Sequence, residues 1–311
     1  MDANHNLVLY CCTFSRDLLR TIRLVQSVQK YNIEKIPFYL SVPDDEVSLF
    51  KNKLNKFDVF IFGEREILRA NPKLNMKKLY EVPGSIRQQV IKSEFWRLEK
   101  AKNYLVLDAD CIFIRDFYQS NFIARNDIPY SIVHEGRDLL QATNKFGPKQ
   151  TKHYFLEDRE PIKSSLNRKG ITYDYGYAPF LWSSKVWKSF DENFLIPKNK
   201  NFLDVILNCG SEFTWYGESL IAYQAIPIYP REQLFRHYHY ENQYWIDRAL
   251  GYTEKNLSNN YLGVVYQSNW QIWKHYGEKR KPFASLLWRL LIRQLKKLVF
   301  KIKIIINLII Y

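Results

Sequence analysis

Apolar residues come in short runs separated by polar stretches with helical spacing. Residues 6–14 (NLVLYCCTF) form a continuous apolar run that predicts a buried strand, and Ser15 is placed to cap the helix after it. Within that helix Leu18, Leu19, Ile22, Val25 and Val28 fall on one face. Residues 37–42 (PFYLSV) and 58–62 (DVFIF) predict two further strands. Between them Pro43-Asp44-Asp45-Glu46 opens a helix with acids in its first turn, where the helix dipole favours them. Strands alternating with helices predict an α/β fold with a mostly parallel central sheet flanked by helices. Residues 64–83 are polar and irregular and read as a loop over a sheet edge. From 84 to 98, Ile86, Val90, Phe95 and Leu98 suit a helix that delivers the chain into the apolar run 104–114 (YLVLDADCIFI).

Further on, residues 130–134 (YSIVH) predict a strand, and 137–170 are charged, with helices and loops expected. Residues 173–182 (YDYGYAPFLW) are dense in aromatics. They read either as a wall of flat rings for sugar stacking or as ordinary core. Ser211 is placed to cap a helix, residues 234–240 put His237 and His239 on one side of an extended segment, and 261–267 predict a late strand. There is no internal repeat, low-complexity tract or long linker.

The chemistry concentrates where the run 104–114 breaks. Strand side chains alternate, so Asp108 and Asp110 point the same way with small Ala109 between them. Two carboxylates so placed repel one another unless a cation sits between them, and oxygen ligands suit Mg²⁺ or Mn²⁺. The alternative is a strand end whose acids cap the following turn. Arg87 and Lys92 on the preceding helix either reach a diphosphate or form a solvated face.

Composition narrows the class. With 46% hydrophobic and 16% aromatic residues in 311, the chain is globular. Cys11, Cys12, Cys111 and Cys209 show no paired spacing, so reduced thiols and a reducing cytoplasm are expected. The first residues lack a basic region, so no signal peptide is expected. The net charge is +14, and nine Lys/Arg with no acid lie from Lys279 onward. Residues 282–311 carry too many cations for a transmembrane span. On a helix, Leu287, Leu291, Leu295, Leu298 and Ile302 would line one side and Arg289, Arg293, Lys296 and Lys297 the other, with Trp288 and Phe300 as interfacial anchors. This is the pattern of a helix lying in an anionic membrane surface; docking on the body or on another subunit is the alternative. Such a stripe fits nucleic acid poorly.

In order, the strand–helix repeats, Ile86-Arg87-Gln88-Gln89, Leu105-Val106-Leu107-Asp108-Ala109-Asp110, the S-E-x-x-x-Y-G-E segment from Ser211 to Glu218, and His237-Tyr238-His239 resemble bacterial glycosyltransferases of the GT-A fold, of the capsule and lipopolysaccharide type. The resemblance covers residues 6–270. It implies a Rossmann-like GT-A domain over 1–275, followed by a basic membrane-association segment over 276–311. The implied activity is metal-dependent transfer of a sugar from a nucleotide-sugar donor to a lipid-linked or polysaccharide acceptor. The product would be a bacterial surface glycan: capsule, O-antigen or lipooligosaccharide. Asp108 and Asp110 would hold Mn²⁺ or Mg²⁺. Thr13, Arg16, Asp17, Arg87, Gln88, Asp108, Ala109 and Asp110 would bind the donor. Glu212, or else Glu218, would serve as base; six residues span about 600° of helix, so the two do not share a face.

A late histidine, His237 or His239, would complete the metal set. His275 is a rival, because His275-Tyr276-Gly277-Glu278-Lys279-Arg280-Lys281-Pro282-Phe283 resembles the H-x-x-G-x-x-K-P-W motif of glycosyltransferase family 8. Its glycine comes one place early, and Phe283 stands where that motif has tryptophan. The expected location is cytoplasmic, peripheral on the cytoplasmic face of the inner membrane through residues 283–311. The partners expected are donor, acceptor and anionic lipid, with no nucleic acid. The alternatives are a sugar nucleotidyltransferase, which normally wants a glycine-rich loop after the first strand, and a non-catalytic, membrane-attached carbohydrate-binding protein.

Overall fold

The computed structural model describes residues 5–146 and 159–267, together with scattered residues between Trp288 and Ile306. In chain order the strands are β1 (His5–Cys12), β2 (Phe38–Val42), β3 (Phe60–Gly63), β4 (Ala101–Leu107), β5 (Cys111–Phe113), β6 (Tyr130–Ser131), β7 (Phe180–Ser183), β8 (Tyr229–Pro230), β9 (Phe235–Tyr238) and β10 (Gly263–Tyr266). The central sheet has the order β3-β2-β1-β4-β7. Its first four strands are parallel, and β7 runs antiparallel to β4 along the edge. A smaller sheet, β5-β10-β9, and the pair β6-β8 complete the strands of the described residues.

The apolar runs are continuous because the central strands are covered on both faces. Along β1, Val8 and Tyr10 enter one hydrophobic cluster while Leu7, Leu9 and Cys11 enter the other. Along β4, Tyr104 and Val106 divide from Leu105 and Leu107 in the same way. The helix Leu18–Tyr31 buries Leu24, Val25 and Val28 on the second of these faces. The helices Gly84–Glu94, Ser184–Phe190 and Glu212–Tyr223 cover the first.

Four local expectations change. The segment 64–83 is not an irregular loop: helices Glu64–Arg69 and Met76–Glu81 bury Ile67, Leu68 and Leu79. The run 104–114 is two strands, because the chain turns at Asp108–Asp110 and Cys111–Phe113 pairs with β10 in the other sheet. Ser15 begins a 3₁₀ turn and hydrogen-bonds Glu46 instead of capping a helix. The hydroxyl of Ser211, at the N-cap position, pairs with Thr214 Oγ1 at 2.6 Å. The aromatic stretch divides between core and cavity wall. Trp182 stacks on Phe180 and Tyr216 in the core, whereas Tyr173 and Tyr177 line a cavity.

The described residues between 288 and 306 are helical. Trp288, Leu291, Leu295, Leu298 and Ile302 are exposed there, and Phe300 packs against the cluster containing Ile112, Tyr238 and Val264. Leu287, Arg289, Arg293 and Lys297 of the expected stripe lie outside the described residues. No helix of the described residues is long and apolar enough to cross a membrane.

Candidate functional site

The strand order puts β1 between β2 and β4, so the chain leaves β1 on one side and later returns on the other. A crevice opens at such a point beyond the carboxyl ends of the strands. Here it holds a cavity of about 760 Å³, and all eight donor-side candidates line it. Thr13 follows β1, Arg87 and Gln88 ride on the Gly84–Glu94 helix, and Asp108–Asp110 follow β4. Thr13 is buried and pairs with Thr21 Oγ1 at 3.0 Å, while Asp17 is ion-paired with Arg20. The Arg87 guanidinium lies over the Tyr80 ring and 3.9 Å from Glu64.

Lys92 is not part of a solvated face. It is 3% exposed, and its ammonium donates to Asp108 Oδ1 at 2.8 Å and to Glu212 Oε1 at 3.4 Å. Burial opposes its charge, but Asp108 and Glu212 prevail and hold its pKa above the ordinary lysine value. Burial raises the Glu212 carboxyl, Lys92 draws it down, and Asp108 adds repulsion. Glu212 therefore meets the crevice through Lys92 and is not among the residues lining the cavity.

Glu218, six residues along, points elsewhere. It is fully buried and gripped by Arg168 through two hydrogen bonds, one of 2.8 Å to Nη2 and one to Nε. His237 and His239 line a second cavity of about 750 Å³, with ring centroids 4.4 Å apart. The side chain of Gln267, which lines the first cavity, hydrogen-bonds His237 Nε2 at 3.0 Å. His275 lies outside the described residues.

A family model matches residues 6–284. The chain belongs to the family of unknown function DUF6492. No curated protein matches the sequence. Among solved structures, a similar one is the apo crystal structure of mouse xyloside xylosyltransferase 1. It is 7% identical, with a TM-score of 0.42, and the match covers 86% of this chain and 99% of that one.

In this DUF6492 chain the crevice suits a divalent cation by its donor chemistry. Among the described lining residues, the carboxylates of Asp17, Glu46, Glu64, Asp108 and Asp110 outnumber the guanidiniums of Arg16, Arg20 and Arg87. No group of three or more His, Cys, Asp or Glu among the described residues is arranged to hold a metal. An ion on Asp108 and Asp110 would thus draw other ligands from water and substrate oxygens, as Mg²⁺ commonly does.

Glu64 and Gln267 are among the lining residues that the sequence did not single out. Glu64 immediately follows β3, and an acid directly after an apolar run was the available signal. Gln267 follows β10 and carries no comparable signal, because its position depends on β10 pairing with β5 and β9.

Proposed function

We propose that the protein is a metal-dependent GT-A glycosyltransferase that transfers a sugar from a nucleotide-sugar donor to a lipid-linked or polysaccharide acceptor in bacterial surface glycan synthesis. The observation that carries this reading is the crevice between β1 and β4, with a carboxylate pair and Arg87 around one cavity. Asp110 and Asp108 would hold Mg²⁺ or Mn²⁺, which when bound neutralises charge on the departing diphosphate. Lys92 fixes one oxygen of Asp108, and Glu212 in turn pins Lys92, so Glu212 acts as a positioning residue. Thr13, Arg16 and Asp17 border the end of the cavity beyond β1, where base and ribose would lie. Exposure of Trp288, Leu291, Leu295 and Leu298 supports a C-terminal segment that seats the enzyme on anionic lipid at the cytoplasmic face, beside its acceptor.

The test is nucleoside diphosphate release from a panel of nucleotide sugars by the full chain with Mn²⁺. Turnover with at least one donor, lost in Asp110→Ala, is the expected result. Absence of turnover with every donor, together with no Mn²⁺-dependent thermal shift by any nucleotide, overturns the reading.

A further inference from the structure

The second cavity equals the first in size and belongs to a different part of the chain. It is walled by His134, Tyr173, Tyr177, Arg231, His239 and Tyr261, among others. The end of β10 and Gln267 connect the two cavities. The Tyr266 N–H at the end of β10 donates to Asp110 O at 3.1 Å, and the next residue, Gln267, reaches from the first cavity to His237 in the second.

The wall of this cavity is prearranged. Arg159 and Asp174 form a buried ion pair at 3.1 Å, and Asp174 accepts the Tyr177 hydroxyl at 3.0 Å. The Tyr177 ring then packs against His237 and His239, with centroids 4.8 and 4.2 Å away. The Gly136 N–H donates to His134 Nδ1 at 2.9 Å, so a neutral His134 ring carries its proton on Nε2. That nitrogen is buried and has no hydrogen-bond partner, a donor awaiting an acceptor.

The charges say what the cavity does not want. Its guanidiniums are already engaged: Arg236 by Asp247, Arg137 by Glu135, and Arg231 by Asn121 O with its face over the Tyr130 ring. Burial, and for His237 also the neighbouring His239, holds both imidazoles below the ordinary histidine range, His239 at about 4. Beside the carboxylates of Glu135, Asp138 and Glu232, which disfavour an anion further, the wall is a set of flat, polar-edged rings and hydrogen-bonding groups around a space of ligand size.

We infer that this second cavity binds an uncharged saccharide, the acceptor end of the glycan, beside the Gln267–His237 contact that joins it to the first cavity. This inference rests on the proposed transferase reading, since it assigns the second substrate of that reaction. The test uses the full chain in saturation-transfer NMR with methyl α- and β-glycosides of glucose, galactose and xylose, at pH 7. Nucleoside diphosphate with Mn²⁺ is titrated separately by thermal shift. At least one glycoside is expected to bind the wild type. Tyr173→Ala and His239→Phe, the latter keeping a ring against Tyr177, should each weaken it tenfold or more while melting cooperatively. A glycoside that binds both variants as it binds wild type overturns the assignment. So does a protein that responds to nucleotide and Mn²⁺ but binds no glycoside, which leaves the transferase reading standing. Failure of both ligands removes the two together.

Discussion

The two ends of the Glu212–Tyr223 helix carry buried glutamates with opposite surroundings. Glu218 is closed off: Arg168 grips both of its oxygens, and two of the three other guanidinium N–H groups go to the carbonyls of Lys169 and Ile171. Glu212 is one member of an open chain of charge, Glu212–Lys92–Asp108, whose last carboxylate is 38% exposed and faces the cavity. A closed pair has nothing left to give a ligand and can serve only the fold. An open chain leaves its last member able to trade a protein cation for a metal. The same residue type on the same helix therefore reads as structural at one end and as site-linked at the other.

The largest expected effect comes from opening the closed pair. Arg168→Ala strands Glu218 at zero exposure and should destabilise the protein by about 3–5 kcal/mol in urea unfolding. Mn²⁺ affinity measured below the unfolding transition should match wild type. A metal affinity that falls with Arg168 would erase the contrast between the two ends.

Lys92→Ala attacks the open chain. Asp108 can rehydrate and Glu212, its carboxyl already raised by burial, can take up a proton, so the loss should be smaller, about 3 kcal/mol or less. Because Lys92 and a metal compete for Asp108, Mn²⁺ should bind the variant several-fold tighter than wild type, read by calorimetry. Unchanged or weaker Mn²⁺ binding would show that the lysine does not compete with metal for Asp108.

This contrast also marks what was legible in the sequence. The strands β1, β2 and β4 were, because burial on both faces leaves continuous apolar runs. So was the meeting of Thr13, Arg16, Asp17 and Asp108–Asp110 at one cavity, because they follow the ends of neighbouring parallel strands; Arg87 and Gln88 reach it from a helix. The helices Glu64–Arg69 and Met76–Glu81 were not, since six residues bury one or two apolar side chains and make no periodic stripe. Lys92 was misplaced because a cation among polar helix residues looks solvated until its partners are known. One of them, Glu212, lies 120 positions away. The cysteines Cys11 and Cys12 needed no such information; their apolar strand already implied buried thiols, which burial raises above the ordinary range.

Glu64 sharpens the comparison, as a third buried carboxylate with only a distant cation. It is 5% exposed, and Arg87 on the Gly84–Glu94 helix stands 3.9 Å away. Asp44, Asp45 and Glu46, after β2, face it as like charges, and Cys12 at the end of β1 is its uncharged neighbour on that side. Burial, opposed by Arg87 and reinforced by those three acids, lifts its pKa from 4.5 to about 7. The folded protein thus keeps a proton that the unfolded chain releases near the ordinary value. Where the folded state holds more protons, stability falls as pH rises. The contribution of Glu64 is complete below about pH 4.5 and is lost as pH climbs through 7. Between pH 5 and 8, wild type should therefore lose about 2 kcal/mol relative to Glu64→Gln, whose amide does not titrate. Parallel unfolding free energies across that range would mean that Arg87 neutralises Glu64 as fully as Arg168 neutralises Glu218. The distinction between closed and open carboxylates would then have to be drawn elsewhere than at the strand ends.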